Sequence, residues 1–268
     1  MFIFVLTYSI GVIIAAILLY FLTDIVKKEA KPVTYNGKKV MRSYSWRLDS
    51  PRGGYLRGKL EIEFDEDAIE ELRLNNPFRN SDSWDDSEFI NRMYRYLRRH
   101  PQHLEACKKI VKYINQLCSQ RNIREIDKLQ FVLDFVQEPN IKYRIDDKCE
   151  EIDNAEEYFR YPDETLFDKR GDCDCKAFLA AMLYHIMGYN VLYITSNKLG
   201  HAAICIQFDP AWEKGLDHKS RVNFGRATIT VNEKLYIYCE TTSDGWRIGG
   251  INRKESVKDF DTIIEFKA

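Results

Sequence analysis

The chain has 268 residues, enough for one good-sized domain or one domain with a smaller appendage. With 40 Lys and Arg against 41 Asp and Glu the net charge is −1, so no basic excess can neutralise phosphates and no nucleic-acid partner is expected. Hydrophobic content of 45% is ordinary for a globular protein, and no repeat or low-complexity tract stands out.

Residues 2–23 are apolar and uncharged. About 20 such residues cross a bilayer as a helix. Tyr8 and Tyr20 suit the two interfaces, and Asp24-Ile25-Val26-Lys27-Lys28 supplies a charged stop. No Lys or Arg precedes the run and no small-x-small cleavage site follows it, so an uncleaved anchor is expected rather than a removed signal peptide. Lys27, Lys28 and Lys31 then place the C-terminal bulk in the cytoplasm by the positive-inside rule. The expected localisation is a single-pass membrane protein with a cytoplasmic body and the lipid bilayer as one partner. The seven cysteines agree with a reduced compartment, being odd in number and without the spacing of a disulfide framework.

Residues 24–39 read as a linker. Two strand-like runs follow, 40–48 and 55–64, with turn chemistry in Asp49-Ser50-Pro51-Arg52-Gly53-Gly54 between them. In the second run Leu56, Leu60, Ile62 and Phe64 alternate with Arg57, Lys59, Glu61 and Glu63, the period of a half-buried strand. A β-hairpin is expected. The charged stretch 65–99 is ambiguous, with a helix expected only over 87–97. Leu104, Cys107, Val111, Ile114 and Cys118 recur at helical spacing, and Ile126, Leu129, Val132, Phe135 and Val136 mark another helix. These stripes read as core packing. The hairpin and helices define an N-terminal region over 40–121, and the remainder, 122–268, a second domain.

The most informative stretch is Gly171-Asp172-Cys173-Asp174-Cys175-Lys176-Ala177, which opens an apolar helix ending near Gly188. Strand candidates follow at 191–195, 202–208, 227–231, 235–240 and 262–266, with a long polar loop expected over 209–226. Helices first and antiparallel-looking strands after make the expected fold class α+β. A cysteine at a helix start meets free N–H groups and the positive end of the dipole, so its thiol is expected to acidify. Asp172 and Asp174 oppose that effect, and a histidine cation must outweigh them. Cys173 is the candidate nucleophile. Downstream, His201 opens a strand and can take the thiol proton and return it to a leaving amine. Glu240 ends a strand and can orient the imidazole. On sequence alone a strand-capping histidine and an ordinary strand-end carboxylate explain the last two equally well.

Cys175 reads as a packed or partly exposed thiol, with a resolving thiol for oxidised Cys173 as the alternative. The Cys-x-Cys pair lacks the second ligand pair of a structural zinc site, and no cofactor or metal is expected. His100, His103 and His218 read as surface residues and His185 as structural.

These residues resemble the transglutaminase-like superfamily, whose core is a papain-like cysteine-hydrolase fold. The resemblance runs over roughly residues 122–250. It rests on Tyr161-Pro162-Asp163-Glu164-Thr165-Leu166 before Gly171-Asp172-Cys173, on Met187-Gly188-Tyr189-Asn190-Val191 before His201-Ala202-Ala203, and on Glu240-Thr241-Thr242-Ser243-Asp244-Gly245-Trp246. The hairpin around Tyr44-Ser45-Trp46 also looks like a segment that precedes the core in some members. The resemblance implies an antiparallel sheet packed on a helix that carries Cys173 as nucleophile, with His201 as base and Glu240 as orienting acid. Members more often carry aspartate at the third position, and an acidic residue is common where Cys175 stands. It implies 122–268 as the catalytic domain and a protein or peptide substrate attacked through an acyl-thioester. Hydrolysis is the expected outcome. Crosslinking of glutamine to an amine, and non-catalytic peptide binding on the same fold, are the alternatives.

Overall fold

The computed structural model describes residues 35–49, 55–77, 86–137, 139–145 and 158–267. The expected anchor at 2–23, most of the linker and Cys149 lie outside them. Among the described residues no helix is long and apolar enough to cross a membrane. In chain order the elements are β1 (Lys39–Asp49), β2 (Tyr55–Asp65), α1 (Glu66–Leu74), α2 (Asp86–Arg99), α3 (Glu105–Gln120), α4 (Glu125–Val136), β3 (Lys142–Tyr143), α5 (Pro162–Asp168), β4 (Arg170–Gly171), α6 (Cys173–Ile186), β5 (Val191–Ser196), β6 (His201–Gln207), α7 (His218–Ala227), β7 (Thr228–Val231), β8 (Lys234–Cys239) and β9 (Thr262–Phe266). The class is α+β.

The expected hairpin is present, β1 and β2 pairing antiparallel with Tyr44 opposite Leu60. Its buried face carries Tyr44, Trp46 and Leu48 from β1 and Leu56, Ile62 and Phe64 from β2. Trp46 stacks on Phe131 of α4 (centroids 5.0 Å) and meets Phe135 edge-on (4.9 Å). Its Nε1–H donates to the Phe131 carbonyl at 3.1 Å, so the indole is packed and satisfied at once. Tyr44 donates to the Leu166 carbonyl at 2.7 Å and so ties the hairpin to α5, just upstream of the cysteine helix.

The helix α5 and the short strands β3 and β4 were not expected, and two further helices escaped the sequence reading. The ambiguous stretch after 65 holds α1, capped by the Asp65 carboxylate on Asp67 N–H. Only Ile69 and Leu72 of α1 are buried, too few for a visible stripe among so many charges. The expected loop over 209–226 instead contains a short tight helix at 210–215 and then α7, capped by Asp217 on Ser220 N–H at 2.7 Å. Its buried residues are Ser220 and Ala227, and Val222 is exposed, which is why it reads as polar loop.

α6 is the central helix. Residues 175–184 are buried all around it, because it runs between the sheet, at β5 and β6, and helices α3, α4 and α5. The main sheet has the order β7-β8-β6-β5-β9 with every neighbour antiparallel. Val191, Tyr193, Ile204, Ile206 and Ile237 belong to the core that contains α6. Leu192, Ile194, Cys205, Tyr236 and Tyr238 form a second cluster with Ile251, Val257 and Phe260. Both faces of β5 and β6 are therefore covered, which explains their nearly unbroken apolar runs.

The Tyr161-Pro162-Asp163-Glu164 run forms α5 and acts as a joint. Asp163 accepts from the N–H groups of Ala106 (3.1 Å) and Cys107 (3.3 Å) at the start of α3. Glu164 accepts from the Tyr158 hydroxyl at 2.6 Å and lies 3.4 Å from Arg73, while Asp168 pairs with Arg73 (2.9 Å) and Arg160 (3.2 Å). Asp163→Ala leaves two buried α3 donors without this acceptor. It is expected to cost about 1–3 kcal/mol, read as a lower urea midpoint at unchanged m-value.

Candidate active site

Gly171 is buried where β4 meets α6. A Cβ added there would lie 2.5 Å from Cys175 Cβ, so the close approach requires glycine. β4 pairs in parallel with β3, setting Tyr143 opposite Gly171. Asp172 then caps α6, its side chain accepting from Cys175 N–H at 3.1 Å. Cys173 is thereby held in the first turn, half-buried.

His201 and Glu240 arrive through strand register. β6 and β8 are antiparallel neighbours with Ile204 opposite Cys239. His201, at the start of β6, and Glu240, one residue past β8, therefore meet at one end of the sheet. Nε2–H of His201 donates to Glu240 Oε2 at 2.9 Å. The backbone N–H groups of Ala202, the residue after His201, and of Asp174 bear on the Cys173 thiol and favour its ionised form. His201 and Glu240 are thus joined at this sheet end, and Cys173 is linked to it through Ala202, the neighbour of His201.

The carboxylate of Glu240 is fully engaged. Oε1 accepts from Thr242 N–H (2.9 Å) and Thr242 Oγ1–H (2.7 Å). Oε2 accepts from the Tyr238 hydroxyl (2.8 Å) as well as from His201. Burial alone would raise this acid, but the hydrogen bond and charge of His201 and the donors of Thr242 bring it down to about 2. An ionised carboxylate accepts only, so Nε2 must carry a proton and Nδ1 is the nitrogen left to act as base. Burial would lower His201, yet its bond to Glu240 and the surrounding carboxylates raise it above its ordinary value.

The thiol departs from expectation. Burial pushes Cys173 well above its ordinary range, and Asp174 and Asp172 push it further. The N–H groups of Ala202 on β6 and of Asp174 in the first turn of α6 work against them and lose. The helix terminus alone therefore does not make a resting thiolate. Asp174 serves elsewhere, accepting from the Tyr193 hydroxyl at 3.0 Å. Cys175 is fully buried, its sulfur 3.2 Å from the Arg160 N–H that donates to it and 3.6 Å from the Tyr158 carbonyl, as fits a packed thiol.

Several site residues were not anticipated. Tyr238 lies two residues before Glu240 on a strand, hence on the same face, a relation visible in the sequence. Thr242, two residues after, makes a local side-chain and backbone turn onto the carboxylate. Gln137, from the end of α4, donates through Nε2 to the Glu240 and Trp246 carbonyls, at 2.9 and 3.1 Å. Nothing in its sequence context singles it out. Tyr143 senses the site as well: burial, then the charges of Cys173, Asp172, Asp174 and Glu240, raise its phenol to about 12. It is a neutral hydrogen-bond donor at physiological pH.

A cleft of about 260 Å³ opens on this end of the sheet, with His201, Glu240, Thr242, Trp246 and Glu255 in its wall. A larger open cavity of about 840 Å³ is lined by α7 residues, including His218 and Asn223, and by 244–247 and 250–253. Trp246 and Asn252 line both. His185 matches its structural reading, its Nε2 3.1 Å from the Tyr94 hydroxyl. His103 does not match a surface reading, being 1% exposed. No protein-family model matches the chain and no curated protein is significantly similar to it, so these residues themselves carry the functional argument.

Proposed function

We propose that the chain is a cysteine hydrolase of papain-like, transglutaminase-like architecture that cleaves amide bonds in proteins or peptides. On this reading it is held at the membrane by residues 2–23 with its body in the cytoplasm. The observation that carries it is the His201–Glu240 pair, with its tautomer fixed by the hydrogen bonds to the carboxylate; the cysteine in the first turn of α6 is the nucleophile the reading assigns to it.

In the proposed sequence, Nδ1 of His201 takes the Cys173 proton as the sulfur attacks the substrate carbonyl. The carbonyl oxygen gains negative charge in the tetrahedral intermediate, with the Cys173 N–H at the helix start placed to stabilise it. The C–N bond then breaks and the departing amine takes the proton from His201, leaving an acyl-thioester on Cys173. Water attacks the thioester, giving its proton to His201. The C–S bond breaks and the carboxylic acid leaves, while the proton returns to the thiolate. Glu240 holds the imidazolium throughout and stays ionised. The raised thiol suits this concerted order, because the proton moves when the substrate is present rather than beforehand. The wider cavity sharing Trp246 with the cleft has room for an extended chain on one side of the scissile bond.

A thiol-directed activity probe is expected to label Cys173, and His201→Ala to slow that labelling roughly 100-fold or more. Equal labelling of wild type and His201→Ala would remove the base from the proposal. Supplying a labelled primary amine separates the acceptors. Amine incorporation into a glutamine-bearing protein would favour crosslinking, and release of free acid alone favours hydrolysis.

A further inference from the structure

Far along the chain from the cysteine site, two histidines and a glutamate converge. His100 precedes and His103 lies within a tight helical turn, Pro101–Leu104, with His103 N–H bonded to the His100 carbonyl at 3.0 Å. An i, i+3 spacing in such a turn brings side chains to the same side. Tyr96, one turn earlier on α2, stacks on both rings at 4.4 and 5.7 Å between centroids. Glu71 reaches the same point from α1. One donor atom from each of Glu71, His100 and His103 lies within 4.8 Å of the other two.

The spacing around His103 differs from that of a hydrogen-bonded cluster. Its Nε2 stands 3.4 Å from the Tyr35 hydroxyl, 3.4 Å from the Tyr96 hydroxyl and 3.7 Å from Glu71 Oε1. A good N–H···O contact is about 2.9 Å. Donors sharing a tetrahedral zinc ion at 2.0–2.1 Å stand about 3.3–3.4 Å from one another. The outer pair needs to contract by about 1.5 Å at most to meet that spacing, within the reach of side-chain rotation. The second oxygen of Glu71 is already oriented, accepting from the Tyr35 hydroxyl at 2.5 Å, as carboxylate ligands are usually held by an outer partner.

We propose that Glu71, His100 and His103 form a binding site for a zinc-class divalent transition metal, with Tyr35 orienting the carboxylate. Two imidazoles and one carboxylate suit zinc or cobalt and leave a fourth position open. The ion would join α1 to the turn after α2 and fix Tyr35, the first described residue, to the body. The sequence reading passed over these ligands because His100 and His103 sit among charged residues and Glu71 is 29 positions before the nearer histidine.

The test uses the full-length chain carrying Cys173→Ala, so that the thiol of the other histidine–carboxylate site cannot bind the ion. Titration with zinc against a chromophoric chelator is expected to show one tight equivalent per chain. Adding His100→Ala, or Glu71→Gln, is expected to weaken it roughly 10- to 100-fold or more. His100 is half-buried and Glu71→Gln keeps its shape, so neither depends on the fully buried His103 surviving replacement. With cobalt in place of zinc, tetrahedral absorption without a thiolate charge-transfer band is expected. Failure of the parent to bind, unchanged affinity in both variants, or a thiolate–cobalt spectrum would each overturn the assignment. None of these readouts depends on hydrolysis.

Discussion

Cys173→Ala is expected to lower amide hydrolysis on the order of 10⁵-fold or more, to the level of the residual site, while leaving the thermal midpoint nearly unchanged. The fold effect is small because Cys173 is half-buried in the first turn of α6, where alanine is a good helix former. The Asp172 cap on Cys175 N–H does not involve the replaced side chain. The catalytic effect is large because the neighbouring thiol cannot stand in: Cys175 is fully buried and its sulfur faces Arg160 N–H and the Tyr158 carbonyl. The measurement is single-turnover cleavage of a peptide amide together with a search for the acyl-enzyme by intact mass. A Cys173→Ala protein that retains cleavage within tenfold of wild type would show that another group attacks the carbonyl.

The fold was legible where one physical signal dominated. The hairpin showed in strict alternation from Leu56 to Phe64, and α3 and α4 in their apolar stripes. What escaped was held by capping and charge instead of by a stripe. α1 buries only Ile69 and Leu72, and α7 only Ser220 and Ala227, so neither imposes a helical period on its sequence. Their capping aspartates, Asp65 and Asp217, were the available signal. In the candidate site, the helix start at Cys173 and the strand ends at His201 and Glu240 were read from the sequence. Their support was legible only in part: Tyr238 shares the Glu240 face by strand period, whereas Gln137 reaches the same loop from 103 residues away. The thiol was misjudged for a related reason. A helix start was visible in the sequence, but the burial that outweighs it depends on how α6 is enclosed.

Glu240→Gln is expected to lower kcat on the order of 10³- to 10⁴-fold, although it changes only one atom type. The argument follows the donors. Thr242 N–H is a backbone donor that cannot reverse, so the single amide oxygen of glutamine must face it. The amide NH₂ then faces the Tyr238 hydroxyl and His201 Nε2. To accept that donor, His201 must carry its proton on Nδ1, the nitrogen that has to receive the thiol proton. The pH dependence shifts as well. Glu240 raises His201, so the wild-type acid limb of kcat/KM lies above pH 6.5, and loss of the charge moves it down. Stability moves in a defined window. Glu240 is lowered from 4.5 to about 2, so its contribution is complete above pH 4.5 and lost as pH falls towards 2. His201 is raised, so its contribution is complete below 6.5 and lost as pH climbs through its folded value. The pair therefore stabilises most between about pH 4.5 and 6.5, where Glu240→Gln costs on the order of 3 kcal/mol. Urea unfolding at pH 5.5 and at pH 3 reads the difference, with the smaller loss at pH 3. An equal loss at both, with kcat within tenfold of wild type, would mean that the carboxylate does not set the imidazole's protonation.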